Sequence, residues 1–250
     1  MPDVLETLFS RLKFAAPNDS RRAEIDGRAV SLRARVAAEL GILAGLTAAF
    51  LAVFPQRTMR VDLPLALAAW GLIGLNAGYT RKVIWSGRAQ APGHHRRRDG
   101  LRLLLLTITA MAAFLAFGAV AGYRAGGWAD AVRRLFPLQM AFAFLAYIGW
   151  AFLQQTLFQF YLLGRLIRLL PAASPLALCA LNAVAFCSVH WPDPILMGLT
   201  AVAGVVWSYS YYKHRRLWPI VLSHAALGAT FFYWVYGHPL GSIWLRAIAH

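Results

Sequence analysis

The sequence predicts an all-helical polytopic membrane protein of about seven spans. Three observations predict it. Of 250 residues, 59% are hydrophobic and only ten are acidic, with a mean hydropathy of +0.53, a composition that suits a membrane chain and not a soluble domain. Apolar runs recur near the ~20-residue length that crosses the hydrocarbon as a helix. The basic residues behind the net charge of +15 fall in short clusters between those runs, as expected of loops facing an anionic leaflet. No nucleic-acid recognition motif accompanies this charge, so membrane lipid, not nucleic acid, is the expected partner.

Residues 1–35 read as a basic cytoplasmic leader in which Val4, Leu5, Leu8, Phe9 and Leu12 recur at helical spacing, a pattern suited to the membrane surface. Residues 36–250 read as one transmembrane domain. Spans are expected at about 36–54, 63–80, 102–123, 137–163, 175–190, 195–212 and 218–236. The stretch 81–100, rich in Gly, Pro and Arg, reads as a cytoplasmic loop that carries His94 and His95 as a solvated pair. With the N-terminus inside, nineteen basic residues fall on the inner side and six on the outer, the bias of a cytoplasmic N-terminus. The first residues show no cleavable signal peptide. Cys179 and Cys187 lie eight residues apart in one run, about 12 Å along a helix. That is too far for a disulfide, and both read as packing residues.

The polar residues inside the apolar runs mark a site, because polar groups at membrane depth are costly and usually face a protein interior or cavity. Gln154, Gln155 and Gln159 interrupt the run 137–163. On an α-helix Gln155 and Gln159 share a face, whereas Gln154 is turned about 100° away toward a different neighbour. Membrane glutamines commonly bond helix to helix. His190 ends the next run, at a turn formed by Trp191, Pro192, Asp193 and Pro194. His224 opens the last span among the small residues Ser223, Ala225, Ala226 and Gly228, which allow close helix approach. At 1.5 Å per residue, Gln154 and His224 fall at similar depth and His190 nearer the outer side, so His190 fits a shared cavity least well.

The stretches QQTLFQ (154–159), FCSVH (186–190) and HAALG (224–228) together resemble the CAAX prenyl protease and bacteriocin-processing (CPBP) membrane endopeptidases over residues 140–236. That family's motifs read EExxxR, FxxxH and HxxxN. The resemblance implies a helical membrane core at 137–236. There the first acid, with the histidines, activates water for attack on a peptide bond, and the Asn holds the oxyanion. Carried over, the acids fall on Gln154 and Gln155, the Arg on Gln159 and the Asn on Gly228, while Phe186, His190 and His224 are kept. An amide cannot take a proton from water, so Gln154 cannot be a general base. Losing both acids and the Arg together strands no single charge in the bilayer.

The expected function is therefore a non-proteolytic member that binds a hydrophobic, lipidated or membrane-embedded polypeptide. The alternative is an active membrane endopeptidase working through His190 and His224, with Gln154 at the catalytic position. Gln155, Gln159, Phe186, Asp193 and Gly228 would line the pocket in either case. Asp193 is the one acid after Leu135, and its position between two prolines also suits a turn. Two histidines without a third ligand fall short of a zinc site, so no cofactor is expected. A transporter or lipid-modifying enzyme lacks the repeat or broken-helix signals of transport. The resemblance and the Arg- and Ala-rich composition imply a bacterial cytoplasmic membrane; oligomeric state is not legible.

Overall fold

A computed structural model describes residues 19–52 and 93–237, with isolated residues between 64 and 74. The expected span at 63–80 and most of the 1–35 leader lie outside the described residues. The helices are α1 (Asp19–Ala52), α2 (Gly93–Leu135), α3 (Leu138–Gln155), α4 (Leu163–Leu169), α5 (Pro175–Ser188), α6 (Pro194–His214) and α7 (Trp218–Thr230). Two π-helical segments, Thr156–Leu162 and Phe231–Tyr236, join α3 to α4 and extend α7. No strand occurs among the described residues. Five stretches, Val30–Ala52, Arg98–Leu135, Met140–Leu169, Pro194–His214 and Trp218–Tyr236, are long and apolar enough to cross a membrane, and the chain is an all-helical multi-pass membrane protein.

Three expected lengths or boundaries differ in the structure. The span expected at 175–190 is α5, whose 14 residues reach about 21 Å at 1.5 Å each, short of a ~30 Å hydrocarbon core. The loop expected at 81–100 ends early, because α2 already begins at Gly93. The leader boundary at residue 35 falls inside the continuous helix α1.

Local sequence explains most element ends. Ser174 caps α5, its Oγ accepting from the Ala177 N–H at 3.2 Å with Pro175 in the first turn. Gly126 and Gly127 break α2, and Gly127 adopts φ 75°, a conformation glycine tolerates without strain. The residues beyond the break fold back until Ala131 lies against Gly122, where an added Cβ would come 2.7 Å from the Ala131 Cα. A threonine whose hydroxyl bonds back to the carbonyl four residues earlier stands at the entry to each π segment, Thr156 (to Phe152) as the first residue of one and Thr230 (to Ala226) immediately before the other, each at 2.7 Å. Such back-bonding competes with the helical ladder and favours a local widening.

The core lies between α5, α6, α7 and the first π segment, around Phe158, Leu163, Phe186, Trp207 and Ile220. The α5–α6 pair makes the most extensive helix contact, and Gly204 lets Ala183 approach closely there. A second cluster, Tyr147, Ala151, Val221 and Ala225, joins α3 to α7. α1 docks on α4 through charge. The Arg165 Nε lies 2.6 Å from the Glu39 carboxylate with both side chains buried, Tyr161 donates its hydroxyl to Glu39 at 2.8 Å, and Arg35 adds a 3.2 Å contact from one turn away. Arg165, which lies just beyond the span expected at 137–163, is thus a buried partner of the first helix.

Candidate functional site

The site is built from α3 and its π extension, α5, α6 and α7. Gln155 is fully buried and donates through Nε2 to the His224 Nδ1 at 2.9 Å. With the amide donating, Nδ1 accepts and the ring proton sits on Nε2. The His224 ring is held on three sides. Trp207 lies tilted against it at 4.8 Å between centroids, while Tyr147 and Phe186 each meet it edge-on at 5.6 Å.

Trp207 is itself fixed. Its indole N–H donates to the Ser223 Oγ at 3.1 Å, and the Ser223 and Thr107 hydroxyls lie 2.7 Å apart. Because Thr107 spends its proton on the Leu103 carbonyl at 2.8 Å, Ser223 must donate to Thr107. Every proton in this buried chain then has one direction, and α2, α6 and α7 are locked around the imidazole. None of Trp207, Ser223 or Thr107 was among the sequence candidates.

Gln159 goes elsewhere. Across the π segment the α-helical register is lost, so Gln155 and Gln159 do not meet one neighbour as their four-residue spacing predicts. Gln155 reaches α7, whereas the Gln159 Oε1 accepts from the Asn182 Nδ2 of α5 at 3.2 Å. Asn182 also donates to the Ser208 Oγ of α6 at 2.8 Å. Gln155, Gln159 and Asn182 are all fully buried. Among the described residues the Gln154 Oε1, Gln155 Oε1, Gln159 Nε2 and Asn182 Oδ1 are buried with no hydrogen-bond partner. Leaving such an atom unmatched costs about 1–3 kcal/mol.

Phe186 is fully buried and stands between the histidines, 5.2 Å from the His190 ring and 5.6 Å from that of His224. The His190 Nδ1 meets the Phe186 carbonyl at 3.0 Å. A carbonyl only accepts, so Nδ1 carries the proton and Nε2 is left as the basic nitrogen in the neutral ring. The two imidazoles thus differ in tautomer, His190 carrying its proton on Nδ1 and His224 on Nε2.

Asp193 does not join them. Its Oδ1 accepts from the Ile195 and Leu196 backbone N–H groups at 3.1 and 2.9 Å, capping α6, and its Oδ2 accepts from the Tyr236 hydroxyl. Both oxygens serve the fold. Gly228 has no side chain to offer, and the reason lies in its neighbour: a Cβ there would fall 2.1 Å from a Tyr147 ring carbon. The Tyr147 ring occupies the space that a side chain at 228 would need.

Among the described residues no three His, Cys, Asp or Glu side chains group as metal ligands do. No curated protein and no solved structure matches the chain. Residues 136–230, which hold the three glutamines, both histidines, Phe186, Asn182 and Gly228, match the family model of the Rce1-like type II CAAX prenyl endopeptidases.

Proposed function

We propose that the chain is a non-proteolytic relative of the type II CAAX endopeptidases, whose amide-lined site holds a hydrophobic, lipidated or membrane-proximal polypeptide. One observation carries the reading. The resemblance puts the water-activating acid at Gln154 and its acidic neighbour at Gln155; both are amides, Gln155 is the one that donates to the His224 Nδ1, and an amide has no pKa with which to activate water. The one acid of this region, Asp193, has both oxygens engaged in holding α6 and Tyr236. The unmatched amide atoms of Gln154, Gln155, Gln159 and Asn182 offer both donors and acceptors, which is what a backbone peptide group requires. We place the chain in a bacterial cytoplasmic membrane with its N-terminus inside, on the bias of basic residues and the composition.

Photocrosslinking from position 154 in the native membrane tests this. Capture of a discrete hydrophobic or lipidated polypeptide supports it. Cleavage of a membrane-tethered peptide by the purified chain, abolished by His190→Ala or His224→Ala, overturns it in favour of the second reading, an endopeptidase working through both histidines. That alternative draws on one feature: His190 and His224 both pack on Phe186, one with a basic Nε2 and the other with an Nε2–H.

A further inference from the structure

At the end of the bundle away from the α2 N-terminus, where α2 folds back at Gly126–Gly127, a cavity of about 420 Å³ opens between the refolded end of α2 and the end of the α7 extension. Gly122, Asp130, Arg133, Arg134, Tyr233 and Gly237 line it. That volume is in the range of small-molecule sites, roughly 300–1,000 Å³. None of these residues belongs to the glutamine–histidine site.

The charges in the cavity do not cancel. Arg133 pairs with Asp130 through one Nη. Arg134 instead donates its Nε to the Trp234 carbonyl at 2.9 Å and its Nη2 to the Val235 carbonyl at 2.6 Å, satisfying groups that a helix end leaves orphaned. Carbonyls are neutral, so the Arg134 charge has no carboxylate partner among the described residues. Two guanidiniums and one carboxylate leave the lining one positive charge in excess. In each Arg an Nη1 edge makes no bond among the described residues, and the planar guanidinium fork matches the oxygens of a phosphate.

The setting fixes which phosphate. Exposed aromatic residues flank the same break in the chain: Trp128 is 74% and Phe136 71% exposed, and Tyr123 packs edge-on against Trp128. Aromatic rings so placed at a span end mark the headgroup level of a bilayer. A cationic cavity at that level meets lipid phosphates first. We propose that this cavity seats the phosphate of an anionic phospholipid headgroup, held by Arg133 and Arg134 at the end of the bundle where α2 folds back.

The test uses the full chain purified in detergent, with lipid retention read by native mass spectrometry on adding phosphatidylglycerol, phosphatidylcholine or inorganic phosphate. One phosphatidylglycerol should be retained in preference to phosphatidylcholine. Arg133→Gln should weaken that retention roughly tenfold, the loss of one charge-assisted bond, and Asp130→Asn should strengthen it several-fold by removing the opposing charge. Arg133 is exposed and Asp130 half-buried at the surface, and neither change enlarges the side chain, so neither threatens the fold. Equal retention of the two lipids, or an unchanged or weakened affinity in Asp130→Asn, overturns the proposal. Release of the lipid by millimolar inorganic phosphate would assign the seat to the free anion and overturn the headgroup assignment.

Discussion

The Tyr147 ring stands where any side chain at Gly228 would have to go, with a ring carbon 2.1 Å from the Cβ position. The same ring meets the His224 imidazole edge-on. The glycine at the position where the resemblance implies an oxyanion-holding Asn is therefore matched by a bulky neighbour on α3.

Gly228→Asn should accordingly destabilise the protein by about 1–3 kcal/mol through overpacking, seen as a lower thermal midpoint in detergent. Tyr147→Ala combined with Gly228→Asn should regain part of that loss. If Gly228→Asn alone is neutral, the ring moves freely and the match is incidental.

Glu39→Ala should cost about 3–5 kcal/mol, because it leaves Arg165 buried without its carboxylate. Arg165→Met should cost less, since Arg35 and Tyr161 still serve Glu39. The pair Glu39→Leu with Arg165→Met should lie closer to the native stability than Glu39→Ala. Denaturant titration, with a cysteine crosslink between α1 and α4 as reporter, checks the order.

Asp193→Ala should lose the α6 cap, at about 0.5–2 kcal/mol. Asp193→Asn should be nearly neutral, because Asn caps as well as Asp. A polypeptide-binding or cleavage activity that survives Asp193→Asn identifies a structural side chain. One that vanishes in a fully folded Asp193→Asn identifies an acid at work.

Replacing Gln154 and Gln155 by Glu and Gln159 by Arg restores the charged pattern that the resemblance implies. Cleavage of a membrane-tethered peptide should appear only in this triple variant, and Gln155→Glu alone should destabilise the fold by burying an uncompensated charge beside His224. Activity in the native chain equal to that of the variant would contradict the proposed function.

The helical membrane class and most span positions were legible because they rest on hydropathy and length, which need no tertiary information. The expected end of a span at 123 fell three residues before the Gly126–Gly127 break. The grouping of Gln155, Phe186 and His224 was legible as polar or motif residues on successive spans. Asn182 was missed although the same signal marked it, since it is a polar residue inside an apolar run and stands four residues before Phe186 on the same face of α5. Glu39 and Arg165 were read as a span residue and a loop cation because pairing across more than a hundred residues leaves no local trace. The separation of Gln155 from Gln159 could not be read either, because a π segment changes the register without changing the spacing.

The Glu39–Arg165 contact also bears on how the chain is made. The acid leaves the ribosome about 126 residues ahead of its counter-ion, a delay of several seconds or more at ~5–20 residues per second. Until then Arg35, one turn away on the same helix, is a cation within reach of Glu39, and the docking of α1 on α4 waits until translation has passed Arg165.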